Sequence, residues 1–126
     1  MKSKLLSAGD WLGAGLSGLC MVHCLALPLL ALLFAIQLPG VLVGESVHGV
    51  LLFLVLPTAL TVLGLGFRQH RRLTVLLLGA AGIAVMLSAH ALAGLWGESA
   101  EKIATLTGSV TLVWAHLLNY KARSAP

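Results

Sequence analysis

Long apolar stretches separated by short polar segments dominate the chain. Four of these stretches carry no charged residue, and together they cover most of the sequence: residues 11–44, 46–67, 73–97 and 103–120. A helix needs about 20 predominantly apolar residues to cross a hydrocarbon layer about 30 Å thick. The pattern therefore predicts four membrane-spanning helices.

Polar and turn-forming residues indicate where these helices end. The Leu-Pro-Gly sequence at residues 38–40 predicts a turn, and residues 68–72 and 96–102 predict two short loops. Such short connections make successive helices antiparallel. The sequence thus predicts an all-α membrane protein with a single domain, residues 1–126, and four transmembrane helices in an antiparallel bundle, at about residues 11–37, 46–67, 73–95 and 103–120. The first span is longer than a bilayer requires, and Pro28 is the expected position of a kink.

Composition strengthens the membrane assignment. Of the 126 residues, 59% are hydrophobic and 10% are charged, and the mean hydropathy is +1.00. A soluble domain carries about 25% charged residues, so this chain has too few to cover the surface of a soluble enzyme. The net charge of +4 comes from too few basic residues to form a nucleic-acid-binding surface. No hydrolytic or phosphate-binding motif is present in the sequence, and no enzymatic activity is predicted.

The charged residues predict the orientation in the membrane. Seven of the eight basic residues fall on one side of an even-numbered bundle: Lys2, Lys4, Arg68, Arg71, Arg72, Lys121 and Arg123. The other side carries Glu45, Glu98 and Glu101, with Lys102 as its only basic residue. Because cytoplasmic loops are enriched in Lys and Arg, both termini are expected to be cytoplasmic.

Two cysteines in the first span carry the most specific candidate chemistry. Cys20 and Cys24 are four residues apart, so they lie on one helix face with Cβ atoms about 5 to 6 Å apart. The same face, an arc of about 80° on a helical wheel, includes Asp10, Gly13, Ser17 and Pro28. Since one turn of a helix does not favour disulfide geometry, two thiols are expected here.

A soft metal cation is the ligand that this arrangement suits. Thiolates select soft or borderline cations, and two of them neutralise a divalent ion in a medium of low dielectric. Pro28 lacks an N–H and therefore leaves the Cys24 carbonyl without its helical donor. His23 lies beside the pair and is a third candidate ligand. The alternative is that both cysteines are small buried apolar residues and that the Gly13–Ser17 face only packs against another helix.

The remaining histidines suggest a second, outer site. His48 and His90 are predicted near the outer ends of the second and third spans, and Met86 lies one turn before His90. These three residues are either outer ligands that receive a cation before the thiols do, or interfacial packing residues. His116 and Asn119 are expected to form structural hydrogen bonds in the fourth span. His70, in the basic loop, is expected to face water or lipid headgroups.

Several segments together resemble the MerC-domain family of bacterial inner-membrane mercuric ion transport proteins. They are Asp10-Trp11-Leu12-Gly13, Leu16-Ser17, Leu19-Cys20-Met21-Val22-His23-Cys24, Pro28 and His116-Leu117-Leu118-Asn119-Tyr120. The resemblance covers nearly the whole chain. It implies a multi-pass inner-membrane protein that takes up mercuric ion through a cysteine pair in its first helix, onto which Cys20 and Cys24 map.

The chain departs from that family's pattern in two respects. Mercury-resistance members carry the pair as Cys-x-x-Cys followed closely by proline, together with a second cysteine pair in a cytoplasmic tail. This chain has a wider spacing with His23 before Cys24, and no further cysteine. Zinc is therefore a second candidate ion, since imidazole and thiolate both suit it.

The leading hypothesis is binding and transport of a soft or borderline heavy-metal ion, Hg(II) or Zn(II), without a tightly bound cofactor. One alternative is a haem-binding or electron-transfer membrane protein, with His48 and His90 as axial ligands. Another is an accessory membrane subunit that has no ligand of its own. The expected partners are the lipid bilayer, the metal ion, and either a second copy of the chain or a cytoplasmic metal acceptor; nucleic acid is not expected.

Overall fold

The computed structural model describes residues 2–34 and 45–124. Within these ranges it also describes the side chains, except for a few positions: Lys2, Ser3, Pro28, Ala31, Glu45, Ser46, His90, Leu92, Ala93 and Glu98. The turn predicted at residues 38–40 lies outside the described residues, and so does the Pro28 side chain on which the predicted kink rests. All of the described chain is helical apart from two short interruptions.

The helices are long, and two of them end at a residue with positive φ. Helix α1 is Lys2–Phe34 and helix α2 is Glu45–His70. The helical segment Leu73–Ser124 is broken at Gly97, where φ is 81° and ψ is 171°. The break separates α3, residues 73–96, from α4, residues 98–124.

Both predicted loops are shorter than the sequence suggested. Arg71 has φ of 55°, and its N–H donates to the Phe67 carbonyl at 2.8 Å, which is an αL cap that ends α2. Gly97 adopts positive φ at little steric cost because glycine has no Cβ. The loop predicted at residues 96–102 is therefore wrong, since α4 is already helical directly after Gly97.

The apolar surface of the helices suits lipid. Lys4–Phe34 and Val47–His70 are each long and apolar enough to cross a membrane, and Leu73–Ala89 is a shorter apolar helical stretch. Large apolar side chains are exposed on every helix, including Leu32, Phe53, Leu77 and Trp114. In water such exposure would favour aggregation. In a bilayer it is the expected outer surface.

Close helix packing depends on small residues. A Cβ at Gly108 would lie 3.0 Å from the Gly82 carbonyl oxygen, so α3 and α4 approach each other through their glycines. Along these two helices Gly79 faces Ala115 and Gly108 faces Met86, so their residue numbers run in opposite directions. Gly9 of α1 likewise contacts Val62 of α2, near the opposite end from Cys24 and His48.

The interior is unusually polar for such an apolar chain. An apolar cluster of residues such as Val55, Leu63 and Leu112 fills part of it. Among the described residues, six polar side chains are also buried: Asp10, Ser17, Thr105, Ser109, His116 and Asn119. Since a buried polar group is costly in hydrocarbon and faces the bundle interior, these residues are the candidates for a functional role.

Candidate metal centre

The polar stripe predicted on α1 faces the interior. Asp10, Gly13, Ser17 and Cys20 are all buried, and Cys24 is half-buried. The 3.6-residue period of a helix brings these positions onto one face. The prediction of an inward-facing polar stripe is thereby confirmed over residues 10–24.

Two thiols and one imidazole converge at the Cys24 end of this stripe. The ligand atoms of Cys20, Cys24 and His48 all lie within 4.8 Å of one another. The Cys24 Sγ and His48 Nδ1 atoms are 3.7 Å apart. Ligand atoms bound at 2.0 to 2.3 Å lie about 3.5 Å apart in a tetrahedral site and about 4.6 Å apart when they are opposite each other. The three residues could therefore hold one metal ion.

The thiols are chemically available for such an ion. Both cysteines are free, and Cys20 is fully buried whereas Cys24 and His48 are half-buried. Two thiolates and a neutral imidazole would leave a divalent cation with no net charge, which lowers the cost of holding it away from water. Glu101 on α4 is close enough to Cys24 and His48 to interact with both electrostatically. Lys102, the next residue on α4, also acts on Cys24, with the opposite sign of charge.

Helix α4 supplies side chains that orient the ligands. The Thr105 Oγ1 atom lies 3.5 Å from His48 Nε2, and the Thr105 side chain is fully buried. If His48 binds through Nδ1, its Nε2–H is the donor to Thr105, which is how proteins commonly fix a metal-ligating imidazole. Ser109, one turn further along α4, interacts with the Cys20 thiol.

A second polar cluster occupies the other end of the α1–α4 interface. The buried Asp10 carboxylate accepts from His116 Nδ1 at 3.2 Å and from Asn119 Nδ2 at 2.8 Å, and it pairs with the Arg123 guanidinium. Asn119 Oδ1 lies 2.8 Å from His70 Nε2, which brings the end of α2 into the same network. We call these five residues the Asp10 cluster.

A family comparison decides what kind of protein carries these two clusters. The family model described as the MerC mercury resistance protein matches residues 10–121, which is most of the chain. The chain belongs to the MerC family. Membership implies mercury resistance and membrane transport, and the family is transport-related rather than enzymatic. No curated protein and no solved structure matches the chain.

The MerC match contains every residue predicted as a metal ligand, but the structure groups them differently. His48, predicted in a separate outer site with His90 and Met86, lies against the thiols instead. Met86 is fully buried in the apolar core, where it packs against Gly108. His23 is half-buried and does not belong to the three-residue group. The His90 side chain lies outside the described residues.

The MerC fold also assigns partners that sequence reasoning missed. Hydrogen bonds of His116 and Asn119 confirm their predicted structural role. His70 is not simply a headgroup-facing residue, because it contacts Asn119 and its Nδ1 accepts from the Arg72 N–H at 2.9 Å. Thr105 and Ser109 carried no distinguishing signal in the sequence. Asp10 did carry such a signal, because a lone acidic residue at the start of an apolar stretch is expected to have a buried partner.

Proposed function

We propose that this MerC-family protein is a multi-pass protein of the bacterial inner membrane that binds mercuric ion between Cys20, Cys24 and His48 and releases it to the cytoplasm. The observation that carries the proposal is the convergence of two free thiols and an imidazole within 4.8 Å, on two helices of a membrane-transport family. Mercuric ion is the cargo rather than a resident cofactor.

The proposed topology has four spanning helices with both termini in the cytoplasm. The Asp10 cluster joins the start of α1, the end of α2 and the end of α4. The basic residues of the 68–72 segment and of the C-terminus therefore gather at one end, as the positive-inside rule requires of a cytoplasmic face. The thiols lie toward the opposite end, since Cys20 is about 15 Å from Asp10 by the helical rise.

The proposed uptake begins at the outer end of the bundle. His48 lies in the first turn of α2, so the metal site is close to the outer surface and no separate histidine site is needed before the thiols. Binding a divalent ion releases the thiol protons, since thiolate is the form that binds metal. Ligand exchange then moves the ion toward a cytoplasmic acceptor with its own thiols. Zinc remains the alternative cargo, because a Cys2His set leaves the fourth tetrahedral position open.

The experiment compares metal accumulation by cells that express one of three proteins. These are the wild type, the double variant Cys20→Ser, Cys24→Ser, and the control variant Met21→Leu. The serine variant is expected to accumulate mercuric ion no faster than cells without the protein, because a hydroxyl is a poor ligand for a soft cation. Met21→Leu removes a neighbouring sulfur on α1 that is outside the three-residue group, and it is expected to transport normally. Equal accumulation by all three would contradict the thiol route and favour an accessory-subunit role.

The identity of the ion is tested on purified protein. Elemental analysis after exposure to Hg(II) and Zn(II) is expected to find one Hg(II) per chain, even when Zn(II) is in excess. The Cys20→Ser, Cys24→Ser variant is expected to retain none. Retention of zinc in preference to mercury by the wild type would replace mercuric ion with zinc as the cargo.

A further inference from the structure

Between the thiols and the Asp10 cluster, the α1–α4 interface contains buried polar atoms that the proposed metal site does not use. His116 Nε2 and Ser17 Oγ are both buried, and neither has a hydrogen-bond partner among the described residues. Buried polar atoms without partners are rare in native proteins, and each one calls for an explanation such as a bound ion or water. His116 Nε2 and Ser17 Oγ, one on each helix, indicate a position that something else fills; Ser109 Oγ of α4 is a third such atom among the described residues.

The His116 ring is held in a defined orientation. Its Nδ1 atom lies 3.2 Å from Asp10 Oδ1, so the Nδ1–H donates to the carboxylate. In a neutral imidazole the other nitrogen then carries a free lone pair. A carboxylate behind an imidazole is the arrangement that proteins use to orient a metal-ligating histidine and to raise its basicity. Here the carboxylate belongs to Asp10, whose other oxygen pairs with Arg123.

Helix α1 makes room for this ring at Gly13. A Cβ at Gly13 would overlap the His116 imidazole, Nε2 included, so only glycine admits the ring at this depth. Ser17 is one turn further along α1, and Cys20 is the next residue on the same stripe. The Gly13 to Cys20 separation is about 10 Å by the helical rise. His116 Nε2 is thus on the line from the thiols to the cytoplasmic end, but too far to share one ion with them.

We propose that His116 Nε2 and the Ser17 hydroxyl form a second binding position for the cation, on the cytoplasmic side of the thiol site. The inference rests on the proposed function, of which it is the next step. Imidazole and hydroxyl bind a soft cation more weakly than two thiolates do. An ion at this position is therefore held only briefly before a cytoplasmic acceptor takes it. Asp10 is a positioning residue for this site and does not touch the ion.

The direct test is nitrogen NMR of protein labelled with 15N-histidine, in nanodiscs of phosphatidylethanolamine and phosphatidylglycerol, titrated with Hg(II) and separately with Zn(II). The first equivalent is expected to shift the His48 resonance, and further metal is expected to shift that of His116 Nε2. His70 belongs to the Asp10 cluster but does not lie between the thiols and the cytoplasmic end. It is the internal control, and its resonances are expected to stay unchanged. An unshifted His116 Nε2 at metal concentrations that saturate the thiols would overturn the proposal and leave water as the occupant.

A matched pair of variants separates binding from structure. His116→Asn keeps an N–H where Nδ1 donates to Asp10 but removes the Nε2 nitrogen, whereas His116→Ala removes both. His116→Asn is expected to bind the first Hg(II) normally and to lower its uptake into proteoliposomes about tenfold. If His116→Asn took up Hg(II) at the wild-type rate, the histidine would be only structural. Absence of uptake by the wild type would instead refute the proposed transport, and the NMR titration would still decide the second position.

Discussion

The two polar clusters along α1 differ in how their charges are balanced. At the Asp10 cluster the carboxylate meets a guanidinium, an imidazole and an amide, so its charge is neutralised within the protein. At the thiol site, Cys20, Cys24 and His48 supply three ligand atoms, and both Glu101 and Lys102 of α4 act electrostatically on Cys24. The Asp10 carboxylate is balanced without an added cation, whereas the two thiols are suited to receive one. The comparison indicates that the Asp10 cluster holds helices α1, α2 and α4 together, whereas the thiol site could hold a cation.

The largest expected effect is on stability, from Asp10→Ala. This substitution leaves the nearly buried Arg123 side chain, 5% exposed, without its counter-charge. Removing one partner of a buried ion pair costs about 3–5 kcal/mol. The free energy of unfolding, measured by denaturant titration in detergent, is expected to fall by that amount, while the first Hg(II) binds as in the wild type.

A double variant checks that the loss comes from the unpaired charge. Asp10→Leu combined with Arg123→Leu removes both charges, and it is expected to regain part of the stability lost by Asp10→Ala. A double variant less stable than Asp10→Ala would contradict the ion-pair explanation. Loss of Hg(II) binding by Asp10→Ala would show instead that the two clusters are not independent.

An intermediate effect is expected where the two regions meet, at Gly13. A Cβ there would overlap the His116 imidazole, so Gly13→Ala forces the ring or the helix to move and is expected to destabilise the protein by about 1–3 kcal/mol. Gly15→Ala is the matched control on the same helix, because nothing lies within 4 Å of its Cβ position. That control is expected to be neutral or stabilising by up to about 1 kcal/mol, since alanine favours helix. Equal unfolding midpoints for the two variants would contradict the tight Gly13–His116 contact.

Binding rather than stability is expected to change at His48. His48→Gln removes the imidazole of the three-residue group and is expected to lower the affinity for Hg(II) or Zn(II) by at least about 100-fold, more than the loss of a partner that only orients a ligand, with little change in unfolding. His23→Gln is its control, because His23 is also a half-buried histidine near the thiols but does not belong to the group. A competition titration against a thiol chelator measures both. If His23→Gln weakened binding more than His48→Gln, the ligand assignment would be wrong.

The part of this arrangement that depends on one helix was predictable from the sequence. The stripe from Asp10 to Cys24 follows from helical period alone, and the burial of its members matches it. The place of His48 was not predictable, because it depends on how α2 is rotated and shifted against α1. The helix ends at Arg71 and Gly97 were not predicted for a different reason. A single residue with positive φ is enough to end a helix, whereas the charged segments around these two residues suggest longer loops. The contact of His70 was not predictable for the same reason as that of His48, since its partner Asn119 is 49 residues away in the chain.

The smallest effect is expected at Thr105, which contacts the ligand and not the ion. Thr105→Val keeps the shape of this fully buried side chain but removes the Oγ1 atom 3.5 Å from His48 Nε2. Since the imidazole loses an orienting partner and keeps its ligand nitrogen, the metal affinity is expected to fall about tenfold, which is less than the loss at His48→Gln. In the combination of His48→Gln with Thr105→Val, the valine is expected to add no further loss, because Thr105 acts only through His48. Additive losses would mean that Thr105 affects the site by another route, such as the Cys20 side of the interface.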